Sequence, residues 1–161
     1  MGRGPGEHGG SARAAGDPVV DEMSEDECLR LVAQHEVGRI AYNGRYRPTI
    51  LPVNYRLYEG SVVFRTGQDS PLDEDLRTGI SNAEYKVAFE IDSLDPASRQ
   101  GWSVLIQGSA HHVTDEGERS GVAQAGVSPW ADGVKEMYIR VLPTRITGRH
   151  ITYPGGAGGR R

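Results

Sequence analysis

The chain has 161 residues, 37% of them hydrophobic, and a net charge of −4, which describes one domain with a single apolar core. The acidic balance excludes a nucleic-acid binder, because phosphate neutralisation needs a basic face. No run of about 18 apolar residues occurs, which excludes a membrane-crossing helix, and one cysteine, Cys28, allows no internal disulfide and fits a reducing cytoplasm.

Residues 1–16 and 155–161 are dominated by small and polar groups, glycine above all. They are too poor in apolar side chains to offset the entropy of ordering, so they are expected to be flexible tails flanking a domain over 17–154. Met1 to Asp17 also lacks the apolar stretch of a signal peptide.

Ser24 stands three residues before Glu27, a capping box in which each residue satisfies the other's free amide. Cys28, Leu31, Val32 and His35 follow at helical spacing, so an amphipathic helix is expected to open the domain, with Cys28 packed inside. The period then changes to two. Val37–Tyr42 reads as a strand with Asn43-Gly44 as its hairpin turn. Ile50–Tyr58 alternates Leu51, Val53, Tyr55 and Leu57 on a buried face with Ile50, Pro52, Asn54 and Arg56 on the other. Glu59-Gly60 turns the chain into Ser61–Arg65. Pro71 starts a short helix, with Ser70 as N-cap and Asp73, Glu74 and Asp75 serving the helix dipole in its first turn.

Tyr85–Ile91 alternates Val87, Phe89 and Ile91 as a strand. A loop through Asp95-Pro96 leads to Trp102–Thr114, where Gly108 interrupts the alternation and marks a bulge or bend. A weakly helical or loop stretch reaches Trp130, and two strands follow, Met137–Leu142 and Arg145–Thr152. Seven mostly hairpin-linked strands and a few short helices predict a mainly β fold, an antiparallel sheet curled into a barrel.

Few motifs carry chemistry. Gly4-Pro5-Gly6-Glu7-His8-Gly9 satisfies the dinucleotide fingerprint literally, but no strand precedes it and no helix follows. His111 and His112 are neighbours on a strand, so they point to opposite faces and read as ordinary polar surface. The richer constellation is Arg65-Thr66-Gly67-Gln68-Asp69-Ser70-Pro71, where a strand ends, a glycine permits a turn and two hydroxyls flank a helix start. Amides, hydroxyls and a guanidinium together make a phosphate seat, although the same residues would also serve a plain turn and cap.

Several blocks share their wording with one family: Val37-Gly38-Arg39-Ile40-Ala41, Ile50-Leu51-Pro52-Val53-Asn54-Tyr55, Val62-Val63-Phe64-Arg65-Thr66-Gly67, Val87-Ala88-Phe89-Glu90-Ile91-Asp92 and Gly101-Trp102-Ser103-Val104-Leu105-Ile106-Gln107-Gly108. In this order, over roughly residues 23–152, the chain resembles the pyridoxamine 5′-phosphate oxidase-like family. The resemblance implies an antiparallel split β-barrel, a homodimer and two FMN sites at the subunit interface. By that analogy Thr66 and Ser70 contact the cofactor phosphate, and Pro52, Val53 and Asn54 line the flavin ring. Trp102 and Ser103 approach the ring from the opposite subunit.

The chain departs from the family where pyridoxamine phosphate oxidases place basic residues. Ile50, Tyr55 and Pro71-Leu72 stand there, leaving Arg65 and Lys86 as the cations for the phosphate. That argues against a pyridoxal-forming oxidase and for the short, divergent relatives, some of which use the deazaflavin F420. The expected function is a flavin-dependent oxidoreductase that transfers hydride to or from a small molecule. The alternatives are an F420-dependent reductase with Arg45, Arg47 and Arg56 along the cofactor tail, or a non-catalytic flavin- or haem-binding module with His111 or His112 on the iron.

Overall fold

The computed structural model describes residues 17–77 and 85–153; the expected tails, and with them the Gly4–Gly9 motif, lie outside the described residues. Seven strands are present among these, β1 (Val19–Met23), β2 (Val37–Gly44), β3 (Arg47–Tyr58), β4 (Ser61–Thr66), β5 (Tyr85–Asp95), β6 (Gln100–His112) and β7 (Met137–Thr152). Three short helices accompany them, α1 (Glu25–Val32), α2 (Pro71–Leu76) and α3 (Glu116–Gln124). All pairings are antiparallel, in the order β1-β7-β4-β3-β2-β5-β6, and β6 also pairs with β7. The sheet therefore closes on itself as the split barrel expected from the sequence, with β1 attached outside the ring. No helix among the described residues is long and apolar enough to cross a membrane.

Alternation gives the barrel its inside. Val62 and Phe64 of β4 join Ile40, Tyr55, Phe89, Ile91, Val104 and Ile106 in the main core, each contributing about 1.5–3 kcal/mol by leaving water. Cys28 is fully buried there, as expected. The other face of β4 is covered as well: Val63 packs with Val113, Val122 and Val127, flanked by Tyr58 and Tyr138, beneath α3.

Four local expectations need correction. The helix does not open the domain, since β1 precedes it and pairs with the far end of β7. The capping box is present, with the Glu27 amide donating to Ser24 Oγ at 3.3 Å and the Ser24 amide to Glu27 Oε2 at 2.8 Å. The helix nevertheless stops at Val32, so His35 lies beyond it and meets Trp102 edge-on at 4.9 Å.

Asn43-Gly44 is not the turn. These residues pair with Pro48 and Arg47, and Arg45-Tyr46 makes the reversal. Asp75 of α2 fixes it by accepting from the Arg45 amide at 3.4 Å and from Arg45 Nε at 3.1 Å, and Arg47 takes a φ of 84°. Finally, β7 is one strand of 16 residues rather than two. Gln107 faces Arg145 while Gly108 faces Pro143, so Thr144 is the extra residue of a bulge. A bulge tolerates proline, which has no N–H to offer the ladder, and a Cβ on Gly108 would collide with the Leu142 carbonyl.

Candidate functional site

The turn leaving β4 has the hydroxyl pair expected of it. Thr66 is buried, and its Oγ1 lies 2.8 Å from Ser70 Oγ. Ser70 caps α2 by accepting from the Asp73 amide at 3.2 Å. One of the two hydroxyl protons is used between Thr66 and Ser70, so one remains to meet a ligand. Several amides are already committed: Asp69 donates to Asp73 Oδ2 at 2.8 Å, and Ser70 donates to the Gly67 carbonyl at 3.2 Å. Among the described residues the amides of Gly67, Gln68 and Leu72 find no backbone partner.

Beneath this turn lies Asp73, in the first turn of α2 as expected. Asp73 does not merely serve the helix dipole. It is fully buried and accepts from Arg77 Nη2 at 2.5 Å and from the Asp69 amide, and its Oδ1 lies 2.6 Å from His112 Nε2. Burial pushes its carboxyl upward, but the Asp69 amide, His112 and Arg77 outweigh it and hold the group below the usual aspartate value. His112 is thus a structural partner, not ordinary surface. His111 points to the opposite face, as expected, and meets Glu118 at 2.9 Å.

The outer face of the same strands presents a different chemistry. Arg65 precedes Thr66 and so projects to the other side of β4, where its guanidinium lies 5.2 Å from the centre of the Tyr138 ring. Its Nε is buried without a hydrogen-bond partner. On the neighbouring strand Asn54 shares this outer face. Its Oδ1 accepts from the Trp130 amide at 2.8 Å, and its Nδ2 donates to the Glu36 carbonyl at 3.5 Å. Trp130, which could have filled the core, is instead 69% exposed.

The remaining expected site residues are scattered within one chain. Pro52 is exposed on β3, and Val53 packs against the core. Ser103 lies between Asp92 and Arg149 on adjacent strands, whereas Trp102 is buried in the core of its own chain. Lys86 donates to Ser109 Oγ at 2.9 Å, on the far side of β6 and β7 from Thr66. An open cleft of about 640 Å³ lies beside Asn54, lined by His35, Val37, Arg39, Arg56 and Asp92 among others.

Residues 24–150 match the family described as Pyridoxamine 5′-phosphate oxidase. The chain belongs to that family. The chain is 33% identical over 147 residues to the uncharacterized protein Rv0080 of Mycobacterium tuberculosis, covering 91% of this chain and 94% of the relative. A solved FAD-binding protein from Mycobacterium smegmatis is 35% identical with a TM-score of 0.66, over 80% of this chain and 98% of that one. A FAD-binding protein from Mesorhizobium loti, at 18% identity and a TM-score of 0.66 over 84% and 99%, shares the fold.

In this member of the pyridoxamine 5′-phosphate oxidase family, the positions expected to be basic hold other side chains. Ile50 is 66% exposed, whereas Tyr55 is a core residue whose hydroxyl donates to the Val32 carbonyl at 2.6 Å. Pro71 begins α2 and Leu72 is buried beneath it. None of these can neutralise a phosphate. The residues suited to a flavin are therefore the free hydroxyl proton at Thr66–Ser70, the outer surface at Pro52 and Asn54, the exposed Trp130 and the orphaned Arg65.

Proposed function

We propose that the protein is a flavin-dependent oxidoreductase acting on a small molecule, with FMN as the simplest cofactor consistent with its family. When bound, the flavin would supply the hydride chemistry. The chain would supply placement. Thr66 and Ser70 would donate one hydroxyl proton to the phosphate, and Pro52, Val53 and Asn54 would present the β3 surface to the ring. The observation that carries this reading is the exposed indole of Trp130 on a backbone pinned to Asn54. A planar apolar group standing in water beside a strand is a ready cover for a flat heterocycle.

The same reading includes a homodimer. Its support is the outer surface of the sheet, where Ile50, Leu105 and Val37 are among the exposed apolar side chains. Ser103 would belong to the partner's site, consistent with its separation from Thr66 within one chain, whereas Trp102, expected there too, is packed in the core of its own chain. Neither rival gains support. Arg45 is engaged by Glu74 and Asp75, and Arg56 by Glu36, which removes two of three cations from an F420 groove. His111 and His112 face carboxylates rather than open space, which leaves haem iron without a ready ligand.

The visible spectrum of the purified protein, followed by flavin titration, tests the proposal. Joint replacement of Thr66 and Ser70 by alanine is expected to weaken flavin binding by about 1–3 kcal/mol, the cost of unmet phosphate hydrogen bonds. A colourless wild-type protein that binds no added flavin would refute the function. Unchanged affinity in the double variant would remove the two hydroxyls from the site.

A further inference from the structure

The two ring nitrogens of half-buried His35 have different fates. Nδ1 lies 3.1 Å from the Leu31 carbonyl, which can only accept, so Nδ1 carries the proton and donates. This bond helps to cap α1, where the Gln34 and His35 amides already turn back to the Leu31 and Val32 carbonyls at 3.1 Å and 3.2 Å. The other nitrogen, Nε2, is thereby left as an acceptor, and no described residue donates to it. Arg65 Nε is the only side-chain atom that is both buried and without a partner among the described residues, so His35 Nε2 is open to solvent.

Solvent reaches His35 through the open cleft of about 640 Å³, which it lines together with Glu36, Val37, Arg39, Arg56 and Asp92. The cleft adjoins the surface assigned to the flavin ring, because the Glu36 carbonyl accepts from the Tyr55 amide at 3.0 Å and from Asn54 Nδ2 at 3.5 Å. Each charged side chain in the lining is in an ion pair: Arg56 with Glu36 at 2.8 Å, and Arg39 with Asp92 at 3.3 Å and with Glu90 at 3.2 Å. His150 stands across the β6–β7 ladder from Trp102, outside that lining. His35 is therefore the one group in the cleft that can take up a proton near neutral pH without giving up an ion pair. A cap needs only a donor, which asparagine would supply as well, so the second nitrogen is surplus to the fold.

We propose that His35 Nε2 exchanges the proton that accompanies hydride transfer, with the substrate seated in this cleft beside the ring. The inference rests on the flavin reading above. As hydride leaves a substrate carbon for the flavin, the bond to hydrogen on the neighbouring atom breaks. Its proton passes to Nε2 and its electron pair closes the new double bond. In the reducing direction the same proton returns from Nε2 to the substrate. The substrate class is accordingly one that trades a proton with the protein for each hydride, and the protonated imidazole would pass that proton to water at the open mouth of the cleft.

The reduction potential of the FMN-loaded full chain, followed against pH, tests this without any substrate. A titrating imidazole beside the ring is expected to put an inflection between about pH 5 and 8. His35→Asn is expected to lack that inflection while its side-chain amide keeps the bond to the Leu31 carbonyl. His35→Gln, which cannot titrate either, is the second variant should asparagine impair folding. Potential–pH curves that coincide for wild type and variant would overturn the proposal and leave the flavin reading standing. A chain that binds no FMN would sink the flavin reading, and the proposal with it.

Discussion

Two arginines on the outer face of β4 and β7 show how the same local design can serve opposite ends. Arg140 lies 4.9 Å from the Tyr58 ring centre and Arg65 lies 5.2 Å from that of Tyr138. Val63 faces Arg140 and Arg65 faces Tyr138 in the β4–β7 register, so the two guanidiniums share one surface beside the apolar patch under α3. At one end every nitrogen is used: Arg140 Nε donates to Ser61 Oγ at 2.7 Å, Nη1 to Glu118 at 3.0 Å and Nη2 to Glu59 at 3.4 Å. At the other end the guanidinium has a ring and no counter-ion. A charge that serves the fold is neutralised within the chain at Arg140, whereas among the described residues Arg65 has no ion pair and only a ring beside it. The contrast between Asp73 and Arg65 is of the same kind, since Asp73 has three partners and no exposure.

This contrast is open to measurement. The largest effect is expected at Asp73: alanine there would strand His112, Arg77 and the Asp69 amide, costing about 3–5 kcal/mol of stability. Because its carboxyl sits below the usual value in the folded chain, its contribution is present above an aspartate's ordinary pKa of about 3.9. It is lost as pH falls through the lower folded value. Melting temperature against pH should therefore fall in acid for the wild type, with Asp73→Asn showing a shallower decline. A smaller loss, about 2–3 kcal/mol, is expected for Arg140→Ala, which leaves half-buried Glu118 without its main partner. Denaturant unfolding would read it, and flavin affinity should not change. The smallest is Arg65→Met, with stability altered by less than about 1 kcal/mol because no hydrogen bond is lost. A large destabilisation there would erase the distinction between the two arginines.

Much of the barrel could be read from local pattern. Val87, Phe89 and Ile91 alternate and are buried, Glu59 and Gly60 reverse the chain with φ of 48° and 71°, and Gly108 marks a real bulge. These signals succeed because the turn or the face is decided by residues within a few positions. What escaped was decided across the sequence. Nothing in Val19–Met23 announces a strand, since its partner is 133 residues away at the Val19–Thr152 pair. Asn43-Gly44 is a good local turn that lost to Asp75, whose carboxylate holds the chain two residues further on.

The site was legible in the same uneven way. Thr66 and Ser70 stand at a strand end and a helix cap, positions that sequence reveals, and they do meet. Asp73 and His112 come from separate elements, as do Arg65 and Tyr138, and no spacing pattern could have joined either pair. The alternation was informative as well: adjacent residues on a strand point to opposite faces, and Arg65 lies against Tyr138 while Thr66 is buried on the other side of β4.

One strand also governs the order in which the chain can fold. β7 touches β1, β4 and β6, so the barrel stays an open, edge-exposed sheet until this stave arrives. Its partners are distant in sequence, and topologies dominated by such pairings fold slowly. In the interval β4 and β6 would each offer an unpaired edge to another copy. The charged Asp21 and Glu22 of β1, both exposed, guard the rim that remains once closure is complete.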